Sequence, residues 1–137
     1  MSTRQHHFMC PHCKGHLNLG GYVVFSVKTQ DGERGLVLSS PVLGEYTKIS
    51  HPEFDFEENE RLEFYCPVCH AGLGARDVHE NLAKIVMKAV KNDLHDVFFS
   101  TITGERCSYK VSQDKVYSFG DDAHRYLDVF DQVGLVR

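Results

Sequence analysis

No run of apolar residues in this 137-residue sequence approaches the roughly 20 needed to cross a bilayer, and the leading Met1-Ser2-Thr3-Arg4-Gln5-His6-His7 carries no apolar signal core. These two absences point to a cytoplasmic protein that engages no membrane. Positive charge is also scarce: 15 Lys and Arg stand against 19 Asp and Glu, for a formal net charge of −4. A dedicated nucleic-acid binder shows a strongly basic face, so at most a local patch could serve that purpose here. Catalytic signatures are missing too. There is no phosphate loop, no nucleophile elbow and no His-Glu-x-x-His, and the carboxylates have no spacing that picks out a general acid and base. The expectation is a protein that is not an enzyme. Length fits a single domain over 1–137 with a modest core.

Cysteines number only five, and four of them fall in two copies of one turn: Cys10-Pro11-His12-Cys13-Lys14-Gly15-His16-Leu17 and Cys66-Pro67-Val68-Cys69-His70-Ala71-Gly72-Leu73. Disulfides would be the first thought in a secreted chain, but paired spacing without a secretory signal favours thiolates on a metal. In a Cys-x-x-Cys turn two thiolates can meet one metal while following N–H groups point at the sulfurs, and the nearby glycines would supply the positive φ this needs. Two such turns complete a tetrahedral set, so Cys10, Cys13, Cys66 and Cys69 are the expected ligands. Two other arrangements stay open: each pair recruiting nearby histidines (His6, His12 or His16; His70 or His79), or pairs from two chains sharing a metal. A redox-active dithiol would open a helix after a buried strand, whereas glycine-containing turns follow both pairs. Cys107 stands alone in an expected strand and reads as a small buried apolar residue.

Between and after the turns the pattern is that of strands. Tyr22-Val23-Val24-Phe25-Ser26-Val27-Lys28-Thr29 is rich in β-branched and aromatic residues, an Asp31-Gly32 turn signal follows, and Leu36-Val37-Leu38-Ser39-Ser40 completes a hairpin that stops at Pro41. In the second half Leu82, Ile85, Val86, Ala89 and Val90 satisfy helical spacing, so a helix over 78–91 is one reading. Comparison of the halves favours another. At an offset of 60 residues Tyr22–Glu45 lies over Leu82–Glu105, with Phe25 on Ile85, Val37 on Val97, Ser40 on Ser100 and Gly44-Glu45 on Gly104-Glu105, and the Asp31-Gly32 turn falls on Lys91-Asn92. The Cys-x-x-Cys turns match at an offset of 56. An internal pseudo-repeat of 10–50 and 66–112 follows, with strands over 82–90 and 94–102.

The acidic stretch from His51 to Glu60 reads as a solvated, turn-like surface around Glu58-Asn59, and Arg61 to Tyr65 as the strand that delivers the second turn. Lys115–Phe119 is a further short strand. Ala123, Tyr126, Leu127, Phe130 and Val133 share one face of a helix expected over about 121–133, with Asp121 or Asp122 as N-cap and Gly134 as stop. The fold class is mainly β, a small α+β protein.

The two turns resemble the knuckles of the zinc-ribbon and rubredoxin-like group, over about 16 residues of motif. That resemblance implies knuckles at the tips of two β-hairpins sharing one metal. The spacing departs from compact ribbons, which separate the pairs by roughly 15–20 residues; here residues 14–65 intervene. The shared site would therefore join two similar halves around a pseudo-twofold axis. Rubredoxins typically place Gly directly after the second cysteine, where this chain has Lys14 and His70, so Zn²⁺ is the expected metal and iron the alternative. Four sulfurs leave no open position, which makes the metal structural. The expected role is a protein-interaction adaptor using exposed aromatics such as Tyr22, Tyr46, Tyr65 or Phe54. The alternatives are a nucleic-acid-associated ribbon with a basic edge at Arg4, His6, His7, His12, Lys14 and His16, and an iron electron-transfer protein.

Overall fold

A computed structural model describes residues 7–46, 48–54, 56–88, 93–112 and 115–132. Among the described residues ten strands run in chain order: β1 (His7–Met9), β2 (Asn18–Leu19), β3 (Tyr22–Lys28), β4 (Arg34–Ser39), β5 (Lys48–Ser50), β6 (Glu63–Tyr65), β7 (Leu82–Lys88), β8 (Leu94–Ser100), β9 (Ser108–Ser112) and β10 (Lys115–Phe119). A single helix among the described residues, α1 (Leu127–Gln132), follows a 3₁₀ turn at Ala123–Arg125. The protein is mainly β, as its sequence predicts. Among the described residues the strands form two antiparallel sheets, the first in the order β2-β3-β4-β5 with β6 also paired to β3, the second in the order β1-β7-β8-β9-β10.

Alternation explains the first sheet. Val23, Phe25 and Val27 of β3 and Val37 of β4 face inward and are buried, and the chain reverses at Gly32, whose φ of 91° suits the tight turn between Thr29 and Glu33. The second sheet explains the helix-like spacing of its first strand. Ala83, Ile85 and Met87 of β7 join the core between the sheets, while Leu82 on the opposite face joins a second cluster with Phe98, Tyr109 and Phe130. A strand buried on both faces loses its polar–apolar alternation and cannot be told from a buried helix by periodicity. The strand reading of this stretch holds for Leu82–Lys88, and residues 89–92, including the expected Lys91-Asn92 turn, lie outside the described residues. Its partner strand ends at Ser100, two residues earlier than expected.

The strands leading into the two Cys-x-x-Cys turns cross over. β1, which precedes Cys10, pairs with β7 of the second half (Phe8↔Met87, Met9↔Val86); β6, which precedes Cys66, pairs with β3 of the first (Phe64↔Val27, Tyr65↔Ser26). The two registers superimpose at the sequence offsets noted above. Likewise Ser40 Oγ donates to Glu45 Oε1 (2.8 Å) and accepts from Val42 N–H, as Ser100 Oγ donates to Glu105 Oε1 (2.6 Å) and accepts from Ile102 N–H.

Three expectations need correction. The continuous C-terminal helix is broken at Tyr126, which is buried, donates to Glu105 Oε1 and accepts from Asn81 Nδ2. These bonds draw the backbone onto the sheet between the 3₁₀ turn and α1; Leu127 is left 40% exposed, and Val133 and Gly134 lie outside the described residues. Asp122 is the N-cap of the 3₁₀ turn but makes no side-chain capping bond, because its Oδ2 accepts from Arg106 N–H instead. Phe54 is not an exposed aromatic: it is buried against Gly35, where an added Cβ would fall 2.7 Å from its ring.

Candidate metal centre

Each Cys-x-x-Cys turn is closed by its own backbone. Cys10 N–H donates to Gly15 O and Lys14 N–H to Cys10 O; in the second copy Cys66 N–H donates to Ala71 O and His70 N–H to Cys66 O. The chain then returns antiparallel to its lead-in strand, with Leu17 N–H on Phe8 O and Leu73 N–H on Phe64 O, and both leucines are buried. The fold thus delivers each turn on a rigid two-stranded stem rooted in the core. The left-handed backbone sits at Lys14 (φ 63°) and His70 (φ 68°), not at a glycine. This corrects the expectation that the glycines supply it. Gly15 serves space instead, since a Cβ there would lie 3.1 Å from Cys13 Sγ.

The crossed stems bring the turns face to face. Cys10 Sγ lies 3.8 Å from Cys69 Sγ and Cys13 Sγ 3.9 Å from Cys66 Sγ, and all four sulfurs fall within 4.8 Å of one another. These separations are far beyond the roughly 2.05 Å of a disulfide. They match the edge of about 3.8 Å for four sulfurs at roughly 2.3 Å from a central ion in a tetrahedron. The donor set therefore fits a metal ion. Backbone donors converge on the sulfurs: His12 and Val68 N–H approach Cys10 and Cys66 Sγ at 3.2 and 3.3 Å, and Gly15 N–H approaches Cys13 Sγ at 3.2 Å. Such bonds favour thiolate over thiol. Burial pushes the Cys10 thiol above its ordinary pKa against the donors of Cys13 and His12. At Cys66 burial acts in the same direction, but the N–H groups of Cys69 and Val68 and the neighbouring thiols hold its pKa below the ordinary value.

Cys10 and Cys66 are fully buried, whereas Cys13 and Cys69 face solvent. Among the described residues no histidine joins the four sulfurs. The ring of His12 reaches across the centre, its Nε2 3.2 Å from Gly72 O of the opposite turn. His16 and His70 are exposed, and His79 packs edge-on to Tyr126 with its Nδ1 accepting from Asn81 N–H. Arg4 and His6 lie outside the described residues. Cys107 is buried just before β9, and burial pushes its thiol pKa up to about 11, so it stays a neutral core residue.

Tyr46, expected as an exposed aromatic for a partner, is instead half-buried and turned inward: its hydroxyl donates to Phe119 O (3.0 Å) and lies 3.1 Å from Ser108 Oγ, tying the loop after β4 to the second half. No local motif marks that contact. No family model, curated protein or solved structure matches the chain.

Proposed function

We propose that this protein is a non-enzymatic interaction module in which Cys10, Cys13, Cys66 and Cys69 hold one structural Zn²⁺ that locks two β-units together. The observation carrying the proposal is the set of four sulfurs at tetrahedral spacing, contributed by two turns whose stems belong to opposite sheets. A bound zinc ion supplies cross-linking here: with four thiolates no position is left for water or substrate. Iron is the alternative occupant, and non-glycine residues at Lys14 and His70 weigh against it. The matching registers of the halves support reading 10–50 and 66–112 as a duplication within one domain, and unpaired thiols fit a reducing, cytoplasmic setting.

An asymmetry supports the interaction role. Phe98 and Tyr109 form a cross-strand pair on the outer face of the second sheet, and Phe130 of α1 covers them with ring centroids at 5.3 and 4.9 Å. Sixty residues earlier, Leu38 and Ile49 form the same pair on the first sheet beside Val24 and Leu36; Ile49 is 42% and Leu36 56% exposed. A partner protein covering that row would complete the sheet as α1 completes the other.

Elemental analysis of untagged protein together with its visible spectrum tests the proposal. One colourless zinc per chain is expected, lost together with the fold in Cys66→Ser. Iron with charge-transfer bands would turn the reading to electron transfer, and a folded Cys66→Ser variant with full metal content would overturn the shared site.

A further inference from the structure

Beneath α1 the second sheet presents Ala75, Leu82, Phe98 and Tyr109, all buried in the cluster that Phe130 closes. The first sheet repeats this footprint in register. Leu19 pairs with Tyr22 as Ala75 N–H donates to Leu82 O, and Leu38 pairs with Ile49 as Phe98 pairs with Tyr109. The repeat is left open: Leu19 is 73% exposed, and Ile49 is exposed as well. Its borders also differ. Lys84 lies opposite Phe98 and Asp96 two residues before it, whereas Val24 and Leu36 hold those places around Leu38. The open patch is therefore apolar across three strands, from Val24 through Leu38 to Ile49, roughly 10 Å at the usual strand spacing. A helical turn advances about 5.4 Å, so a helix lying along that row needs two turns. The polar edge repeats too. Glu105 accepts from Tyr126, and its Oε2 lies 4.0 Å from Arg125 Nε, just before α1. Its counterpart Glu45 is exposed and among the described residues accepts only from Ser40.

From this juxtaposition we infer that the outer face of the first sheet docks an amphipathic helix of a partner protein, at least two turns long and apolar at i, i+4 and i+7. The inference rests on the interaction reading above and names the kind of partner. What covers the equivalent face within this chain is a helix, which argues for a helix here. Leu38 and Ile49 are smaller than Phe98 and Tyr109, so space that two rings fill on the second sheet has to be filled from the partner on the first. The middle anchor is accordingly an aromatic, as Phe130 is in α1. Ahead of its first turn the helix carries a cation and a hydroxyl for Glu45, the groups that Arg125 and Tyr126 bring to Glu105.

Methyl-labelled holoprotein titrated with a synthetic helix tests this by NMR. The peptide opens with Arg-Tyr, carries Leu, Phe and Leu at i, i+4 and i+7, and is lactam-stapled on its polar face so that ordering costs do not mask binding. Its control has the same composition with the apolar spacing scrambled. The helix is expected to shift the methyls of Leu19, Leu38 and Ile49 saturably, to leave those of Leu82 and Val111 beneath α1 in place, and to bind at least about tenfold tighter than the control. Leu36→Asp gives the first sheet the charge that its counterpart already carries at Asp96. It should weaken the helix about tenfold or more while the methyls of buried Val37 and Val97 keep their positions. Absence of saturable shifts on the first sheet, shifts confined to Leu82 and Val111, equal affinity for the scrambled peptide, or unchanged binding in Leu36→Asp would each overturn the inference. So would sedimentation showing a dimer that Leu36→Asp dissociates, which would put a second copy on the face and leave the interaction reading standing. Elemental analysis of the same sample judges the metal separately. Zinc-loaded protein that fails these tests loses the docked helix alone, and folded zinc-free protein that passes them keeps the docked helix and loses the structural metal.

Discussion

Phe64 tests whether the metal centre and the core fold as one unit. It is 4% exposed on β6, two residues before Cys66, and its ring packs edge-on to Phe25 (5.3 Å) and Phe99 (5.1 Å). Truncation to alanine removes both contacts and enlarges the space between the sheets, a loss of about 3–5 kcal/mol. A structural zinc site contributes on the order of 10–16 kcal/mol, as much as the roughly 5–15 kcal/mol of a whole domain, so the metal-free chain is expected to be unfolded. Binding then has to draw the chain into its fold, and any loss of fold stability passes into affinity. At about 1.4 kcal/mol per tenfold, Phe64→Ala should weaken apparent zinc affinity roughly 100- to 4000-fold. Competition against a chromophoric chelator measures this, with circular dichroism following the fold in the same titration. If the variant melted at lower temperature yet bound zinc as tightly as the native chain, the turns would close without the core and the coupling would be wrong.

Tyr46→Phe removes the hydroxyl shared by Phe119 O and Ser108 Oγ; a loss of about 1–3 kcal/mol should appear in a denaturant melt with metal content unchanged. Lys48→Met should raise stability at neutral pH. Its amine has a folded pKa below the unfolded one, so below both values the fold carries a desolvated charge. Between them the unfolded chain binds the extra proton and stability rises with pH, and the advantage of Lys48→Met, read from melts across alkaline pH, should shrink over that window. Lys14→Gly relieves a left-handed side-chain-bearing residue, so it should keep full metal content and leave stability equal or up to about 1 kcal/mol higher. Gly120→Ala places a Cβ 2.1 Å from Arg106 O at a φ of 100°, and a loss above about 4 kcal/mol should show as failure to yield folded protein.

What the sequence determined by itself is local. A Cys-x-x-Cys turn needs only a few neighbouring residues to aim two sulfurs at one point, so the pair spacing predicts the cluster without knowledge of the fold. The hairpin of β3 and β4 is legible for the same reason, through alternation and an Asp-Gly turn a few residues apart. Even β7, with a helical period, becomes readable as a strand once its counterpart sixty residues earlier is considered. Tertiary structure alone decided which sheet receives each stem. β1 and β6 are three residues long, and their pairing with β7 and β3 depends on packing Phe8 and Phe64 into a core assembled from both halves. The same holds for the break at Tyr126, which hydrogen bonds to Asn81 and Glu105 impose against helical periodicity, and for the desolvation of Lys48. Those features arise where segments distant in sequence meet, and no residue pattern within a single segment encodes them.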